Sequence, residues 1–449
     1  MLNRTGGVLA LVGMCALSVL LLSCGSSSSR PSGLLYVVSD ANFNISSFSI
    51  DLDNGGLSLI NSNAHTCTTL SGSNPVSCGL PRNILLDPTK NVAFMLNQGL
   101  SVTTGSSVTV APTVYGYTVN SDGSLSSPTV SATPVVGAEA DTAVTMTENA
   151  AGTLLFVLDV GPTLTPTDCP GIPNNGPDCP AILVYDATPG STTLTQESVL
   201  QLSSIPTALS VLTFAAPNGG TPQTLLFMTS NKDLTTNNND NELSVFSVNT
   251  STGVLTPAGD SPYTTAPNPG VVLAVNTNTP PETTGGVYVY VGSQGSAAGT
   301  IEAFAVCTVQ GTQGNGGNNC SQSQVQNNEL ISIGSPVGAG KTPIAMLVDP
   351  TNNFLYVAAN ASSQVFAFLI SGATGTLSPL PPVTSEPAAG PVALVMHQNY
   401  NNSGQFLYSS NNVGSTITGI SVNATTGALS TNPSTTLFLQ GSPYGMAAK

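Results

Sequence analysis

"PIAMLVDPTNNFLYVAANASSQVFAFLISGATGTLSPL", residues 343–380, holds three short apolar runs, Ile344–Val348, Phe354–Ala359 and Val365–Ile370. Asp349–Asn353 separates the first two, Asn360–Gln364 the next two, and Ser371–Thr376 leads into Leu377. Runs of this length, rich in Val, Phe and Tyr and bounded by Asn, Asp, Pro and Gly, read as one strand after another. They are apolar at successive positions instead of alternating, which predicts strands covered on both faces.

The middle run recurs as "LLYVVSD" (34–40), "VAFMLNQ" (92–98), "LLFVLDV" (154–160), "LLFMTSN" (225–231), "VYVYVGS" (287–293), "FLYVAAN" (354–360) and "FLYSSNN" (406–412), seven copies in all. Its aromatic is Tyr36, Phe94, Phe156, Phe227, Tyr290, Tyr356 or Tyr408, at intervals of 58, 62, 71, 63, 66 and 52 residues. A third run follows each copy, and a Thr-Gly-x-Leu turn follows several: 251–255, 373–377 and 425–429. A unit of four short strands repeated seven times predicts an all-β fold, a seven-bladed β-propeller. The unit size disfavours a string of separate β-sandwiches. The chain enters at a second strand with no inner strand before it and ends on "GSPYGMAAK" (441–449). The C-terminal segment is therefore expected to supply the missing innermost strand of blade 1 and to hide its edge.

"GSPVGAGKTP" (334–343) imitates a phosphate loop, but the spacing fails: the first glycine of that pattern falls on Ser335, and Pro343 stands where a helix should begin. "GDSPYTTAPNP" (259–269) takes the same place one unit earlier without Gly-Lys. The stretch reads as a crossover from one blade's outer strand to the next blade's inner strand.

The chain has 449 residues, only 6% of them charged, with 22 Asp and Glu against 7 Lys and Arg. That balance repels phosphate backbones and excludes nucleic acid as a partner. With 40% hydrophobic residues it does not suit disorder. At the N-terminus, Arg4 precedes an apolar run from Val8 to Leu22, shorter than the ~20 residues of a membrane-spanning helix. Leu21-Leu22-Ser23-Cys24 resembles a bacterial lipobox, with Leu22 in a slot that more often holds a smaller residue. Cleavage would leave Cys24 as the lipidated first residue; an ordinary secretory signal cut nearby is the alternative. The expected organisation is a signal peptide over 1–23, a flexible tether over 24–32 and the propeller over 33–449. Gly25 carries no aspartate-type retention signal, so the expected location is the outer membrane, periplasm or cell surface of a bacterium. Contact with the membrane is expected through the lipid anchor only, and the protein is expected to be monomeric.

Setting aside Cys15 and Cys24, the six other cysteines fall as three neighbour pairs, Cys67 and Cys78, Cys169 and Cys179, Cys307 and Cys320. In an exported chain they predict disulfides. Six cysteines allow 15 connectivities, and the three local ones need no long-range coincidence. No CxxC occurs and the two histidines, His65 and His397, are far apart, so no metal site and no cofactor are implied. The Asp- and Asn-rich stretch 231–242 lacks the spacing and glycine of an EF-hand loop and reads as a solvated loop.

"DPTNNFLYVAANASSQVFAF", "GATGTLSPL", "NTSTGVLTPAGDSPY" and "NATTGALS" resemble the lactonase-type seven-bladed β-propellers and their YVTN-repeat relatives over residues 33–449. The resemblance implies the fold, and for activity it implies either sugar-lactone hydrolysis or binding without chemistry. Active members carry His, Arg and Glu near the channel mouth, often as Pro-His at inner-strand starts. The positions taken as equivalent here are Pro81-Arg82, Glu139-Ala140, Pro206-Thr207, Pro269-Gly270, Pro343-Ile344 and Pro391-Val392, and none holds histidine. His397 aligns with Asp349 at a turn. Charge is so scarce that Arg82, Glu139, Asp141 and Lys341, near the crossovers, are the candidate ligand-binding residues. The expected function is a binding or interaction module for a neutral glycan, a small molecule or an envelope protein; the alternative is a hydrolase of a non-phosphorylated sugar lactone.

Overall fold

The computed structural model describes residues 33–449 except 41–43, 65–79, 88–89, 99, 105, 111, 133–142, 161–178, 216–220, 235–237, 278–284, 296–297, 312–314, 316, 385–388, 398–404, 432–435 and 440. Gly33–Lys449 forms one unit. The seven copies of the middle run are strands: Gly33–Ser39, Val92–Gln98, Leu154–Asp159, Gln223–Asp233, Val287–Ser293, Phe354–Ala359 and Gln405–Asn411. Every residue of Leu154–Asp159, Val287–Ser293 and Phe354–Ala359 is buried. The missing alternation is thereby explained, because each blade is pressed between two others. Seven apolar clusters lie at the seven blade-to-blade contacts. Each buried Val, Leu, Ile, Phe or Met side chain in them contributes roughly 1.5–3 kcal/mol of transfer free energy.

Each blade is an antiparallel meander of at least four strands, running outward from the sevenfold axis. Blade 1 alone mixes the chain ends: Pro443–Ala448 pairs with Gly33–Ser39, setting Leu35 opposite Ala448 and Val37 opposite Met446. Leu34 and Lys449 exchange both backbone hydrogen bonds, at 2.8 and 2.9 Å. C-terminal closure is thus the observed arrangement, and no inner edge of blade 1 is left open.

The blades are also joined by a repeated polar contact. Tyr36 Oη donates to the carbonyl of Gly123, Tyr290 to Gly375 and Tyr408 to Gly55, each at 2.9 Å, and Tyr356 to Gly427 at 3.4 Å. In each case the tyrosine of a second strand reaches the turn before the outer strand of the following blade. The turn glycines lie close against aromatic rings: a Cβ on Gly427 would come within 2.2 Å of Phe354, and its φ of +67° already disfavours any side chain.

The crossover reading of 334–343 needs one correction. The outer strand Leu330–Gly338 runs through "GSPVG", and only Ala339–Thr342 connects it to the inner strand Pro343–Val348. The register slips between Ile301 and Ala303 on the partner strand, which absorbs the Gly334-Ser335-Pro336 segment as an irregularity. Between the second and third strands of blade 2, Leu100–Thr104 and Ser106–Val110 add a two-stranded hairpin. Cys307 and Cys320 are bonded, closing a loop that precedes a short helix, Gln322–Asn327, capped by Ser321. Cys179 is disulfide-bonded. Cys67, Cys78 and Cys169 lie outside the described residues, as do Cys24 and the whole of 1–32.

Candidate functional site

Every innermost strand breaks register at the same place. The slips fall between Pro81 and Asn83, Ala143 and Thr145, Pro206 and Ala208, Pro269 and Val271, Pro343 and Ala345, and Pro391 and Ala393. In blade 1 the slip leaves Tyr444 as the extra residue between Pro443 and Gly445. Proline explains most of these, since it has no N–H for the ladder and is tolerated at bulges and strand starts. A bulge re-aims one side chain, and here it does so seven times around one axis. The extra residues are Tyr444, Arg82, Val144, Thr207, Gly270, Ile344 and Val392, and all seven line a central cavity of about 420 Å³.

Blade 3 therefore corrects the sequence alignment. Its inner strand is Ala143–Glu148, so Val144, not Ala140, is the counterpart of Arg82. Twelve residues separate Arg82 from Phe94 and Ile344 from Tyr356, and the same count back from Phe156 reaches Val144. That spacing was the available signal; the Pro-x pattern hid it, because blade 3 has no proline at this place. Glu139 and Asp141 lie outside the described residues. Lys341 sits in the short connector, where its backbone N–H donates to Ser362 Oγ at 2.7 Å, and it is not among the residues lining the cavity.

Arg82 is the one charged side chain among the described residues lining the cavity. It is also the one arginine of Gly33–Lys449. Its guanidinium lies over the ring of Tyr444, 4.4 Å from the centroid, a favourable cation–π distance. Its Nε–H donates to Gln98 Oε1 at 2.5 Å. Both partners are neutral, so they fix the guanidinium in place without cancelling its charge. No carboxylate among the described residues forms an ion pair with it. Deeper in, Asn83 Nδ2 donates to Thr145 Oγ1 at 3.2 Å. Leu209, Val272, Met346, Leu394 and Met446 also border the cavity, but each packs into an apolar cluster between two blades. Tyr444 belongs to the closing strand, which the sequence places at blade 1 without singling this residue out; its alignment with Arg82 becomes visible once Pro443 is set beside Pro81.

The opposite ends of the inner strands carry further titratable groups. Asp349 Oδ1 accepts from the backbone N–H of Asn353 at 2.8 Å and of Phe354 at 2.7 Å, which makes it a turn residue. His397 pairs with Phe406 in the equivalent place. It packs so closely on the closure that a Cβ on Gly33 would fall 2.4 Å from its ring. Burial holds its pKa below the ordinary value, opposed by a hydrogen bond to the Lys449 backbone. Glu148 has both carboxylate oxygens buried without a hydrogen-bond partner among the described residues. Burial, and then the charge of Asp87, push it up to about 8. In the 231–242 stretch, burial, Asp240 and Asp233 raise Glu242. Among the described residues no three His, Cys, Asp or Glu side chains converge in a metal-binding arrangement.

The fold and the axial cavity define a seven-bladed β-propeller with a polar mouth on the crossover face. A family model described as "Lactonase, 7-bladed beta-propeller" matches residues 344–440, which are blades 6 and 7. The protein is a seven-bladed β-propeller, and two of its blades match the lactonase family model. Among solved structures, a candidate 6-phosphogluconolactonase of Bacteroides uniformis is similar at 11% identity and a TM-score of 0.61, covering 94% of this chain and 100% of that one. The periplasmic gluconolactonase of Pseudomonas aeruginosa gives 14% identity and a TM-score of 0.58, covering 93% and 99%. A hypothetical selenium-binding protein of Sulfolobus tokodaii gives 10% and 0.56, covering 94% of each chain. At such identities the likeness is one of fold. No curated protein matches the chain.

Proposed function

We propose that the protein is an exported, lipid-anchored binding module of the bacterial cell envelope whose channel mouth holds a compact ligand without turning it over. The observation that carries this reading is the wall of the cavity: one cation, and no carboxylate or imidazole among its described lining residues. Hydrolysis of a lactone at neutral pH calls for a positioned group that can take a proton from water. Arginine stays protonated and cannot serve. Uncharged or weakly charged partners, such as the end of a neutral glycan, a polar small molecule or a loop of an envelope protein, suit a mouth of Thr, Asn, Tyr and a single Arg. Lipidation at Cys24 would hold the propeller at the membrane through the Gly25–Ser29 tether, and Cys24→Ser should release it into the soluble fraction.

Hydrolysis of a non-phosphorylated lactone is the second reading, favoured by the likeness to gluconolactonase folds and by an arginine at the mouth. The two are separated by assaying the purified protein, Arg82→Ala and Glu139→Ala against a panel of sugar lactones. The binding-module reading expects no saturable hydrolysis. Saturable hydrolysis that either substitution removes would replace it with the enzyme.

A further inference from the structure

The channel mouth carries a more specific chemical signature than a neutral binding site requires. Acids number 22 in the chain, yet the only arginine of Gly33–Lys449 stands at the mouth of the axial cavity with no acid paired to it among the described residues. Arg82 instead has its face on Tyr444 and its Nε–H on Gln98, two neutral groups, and its terminal nitrogens have no protein acceptor among the described residues. Tyr444 Oη likewise has no protein partner among them. A guanidinium fixed in this way is preorganised for one planar, bidentate anion, and the match to a carboxylate is geometric as well as electrostatic.

Resting on the binding-module reading and deepening it, we propose that the channel mouth recognises a small molecule bearing a single carboxylate, gripped by the terminal nitrogens of Arg82, with Tyr444 as the second contact residue. One cation neutralises one charge. A phosphate dianion would keep about one uncompensated charge inside an acidic protein, and a neutral ligand would offer the guanidinium acceptors but no balancing charge. The net charge of −15 opposes the approach of any anion. At physiological ionic strength that field is screened beyond about 8 Å, so it slows encounter more than it weakens the contact at Arg82.

The test is calorimetric titration of the full mature protein with acetate, benzoate and D-galacturonate, beside D-galactose and inorganic phosphate. At least one monocarboxylate should bind saturably and at least tenfold more tightly than galactose or phosphate. Arg82→Gln should weaken it at least tenfold with an unchanged melting temperature, and Arg82→Lys, which keeps the charge and loses the fork, should fall between. If Arg82→Gln lowers the melting temperature, Tyr444→Leu takes its place, with the same loss expected. Saturable binding by none of the three acids, equal or tighter binding of phosphate, or undiminished binding in both variants would overturn the proposal. Galactose bound as tightly as its acid would overturn it while leaving the binding-module reading intact. Turnover of a lactone would overturn that reading without touching a tenfold dependence on Arg82.

Discussion

Glu148 shows how a single residue couples this fold to pH. Its carboxylate is buried beside Asp87 without a hydrogen-bond donor among the described residues, and its pKa is pushed up to about 8. The folded state therefore holds a proton that the unfolded chain releases above its ordinary value of 4.5. The native state binds more protons over that interval, so stability falls as pH rises from about 4.5 through 8. Glu148→Gln should flatten that decline in melting temperature between pH 5 and 9; an identical decline in wild type and variant would contradict the assignment. His397 acts in the opposite direction. Its folded pKa is depressed by burial, so its contribution is present above its ordinary value of 6.5 and is lost as pH falls below it. Residues of this kind were only half visible in the sequence. The scarcity of charge made Arg82 conspicuous, but burial and the approach of Asp87 arise from blades 2 and 3 coming together, and the chain does not print that distance.

At the scale of the element, the second strand was the most legible part of the chain, because burial on both faces demands an unbroken apolar run. The inner strand was less so. Its residues are only partly buried against the cavity, so its pattern is weaker, and proline served as the marker. Where proline is missing, in blade 3, the assignment slipped from Val144 to Ala140, and where it sits at the chain end, Tyr444 was passed over. The second strands also carry a difference between blades. Tyrosine stands in blades 1, 5, 6 and 7 and donates to a turn carbonyl of the following blade, whereas blades 2, 3 and 4 have Phe94, Phe156 and Phe227. Tyr408→Phe keeps the ring and removes only the hydroxyl. It strands the Gly55 carbonyl at the contact between blades 7 and 1, and should cost about 1–3 kcal/mol. A denaturation midpoint equal to that of wild type would show that water satisfies the carbonyl instead.

Gly33–Lys449 is a ring closed by its first and last strands, and the last strand also completes the mouth of its channel. Pro443–Ala448 seals blade 1 and at the same time brings Tyr444 under Arg82. Closure was legible because the first repeat lacks an inner strand and a further inner-strand start follows the last blade; the contribution of Tyr444 to the mouth was not, because it depends on the bulge that lifts one residue out of register. Deleting residues 441–449 should expose an unpaired edge, lower the melting temperature and drive association. A truncated protein that remains monomeric with an unchanged melting temperature would contradict this role. The account rests most heavily on Arg82 at the mouth as the ligand-contacting group, and its standing as the one arginine of Gly33–Lys449 makes it observable on its own. The direct measurement is the ¹⁵N–¹H signal of arginine Nε in the mature protein, with Arg82 identified by its loss in Arg82→Lys, followed during titration with D-galacturonate, benzoate and acetate. The account predicts a saturable shift of the Arg82 signal with at least one of them; a signal that stays fixed through all three titrations would contradict it.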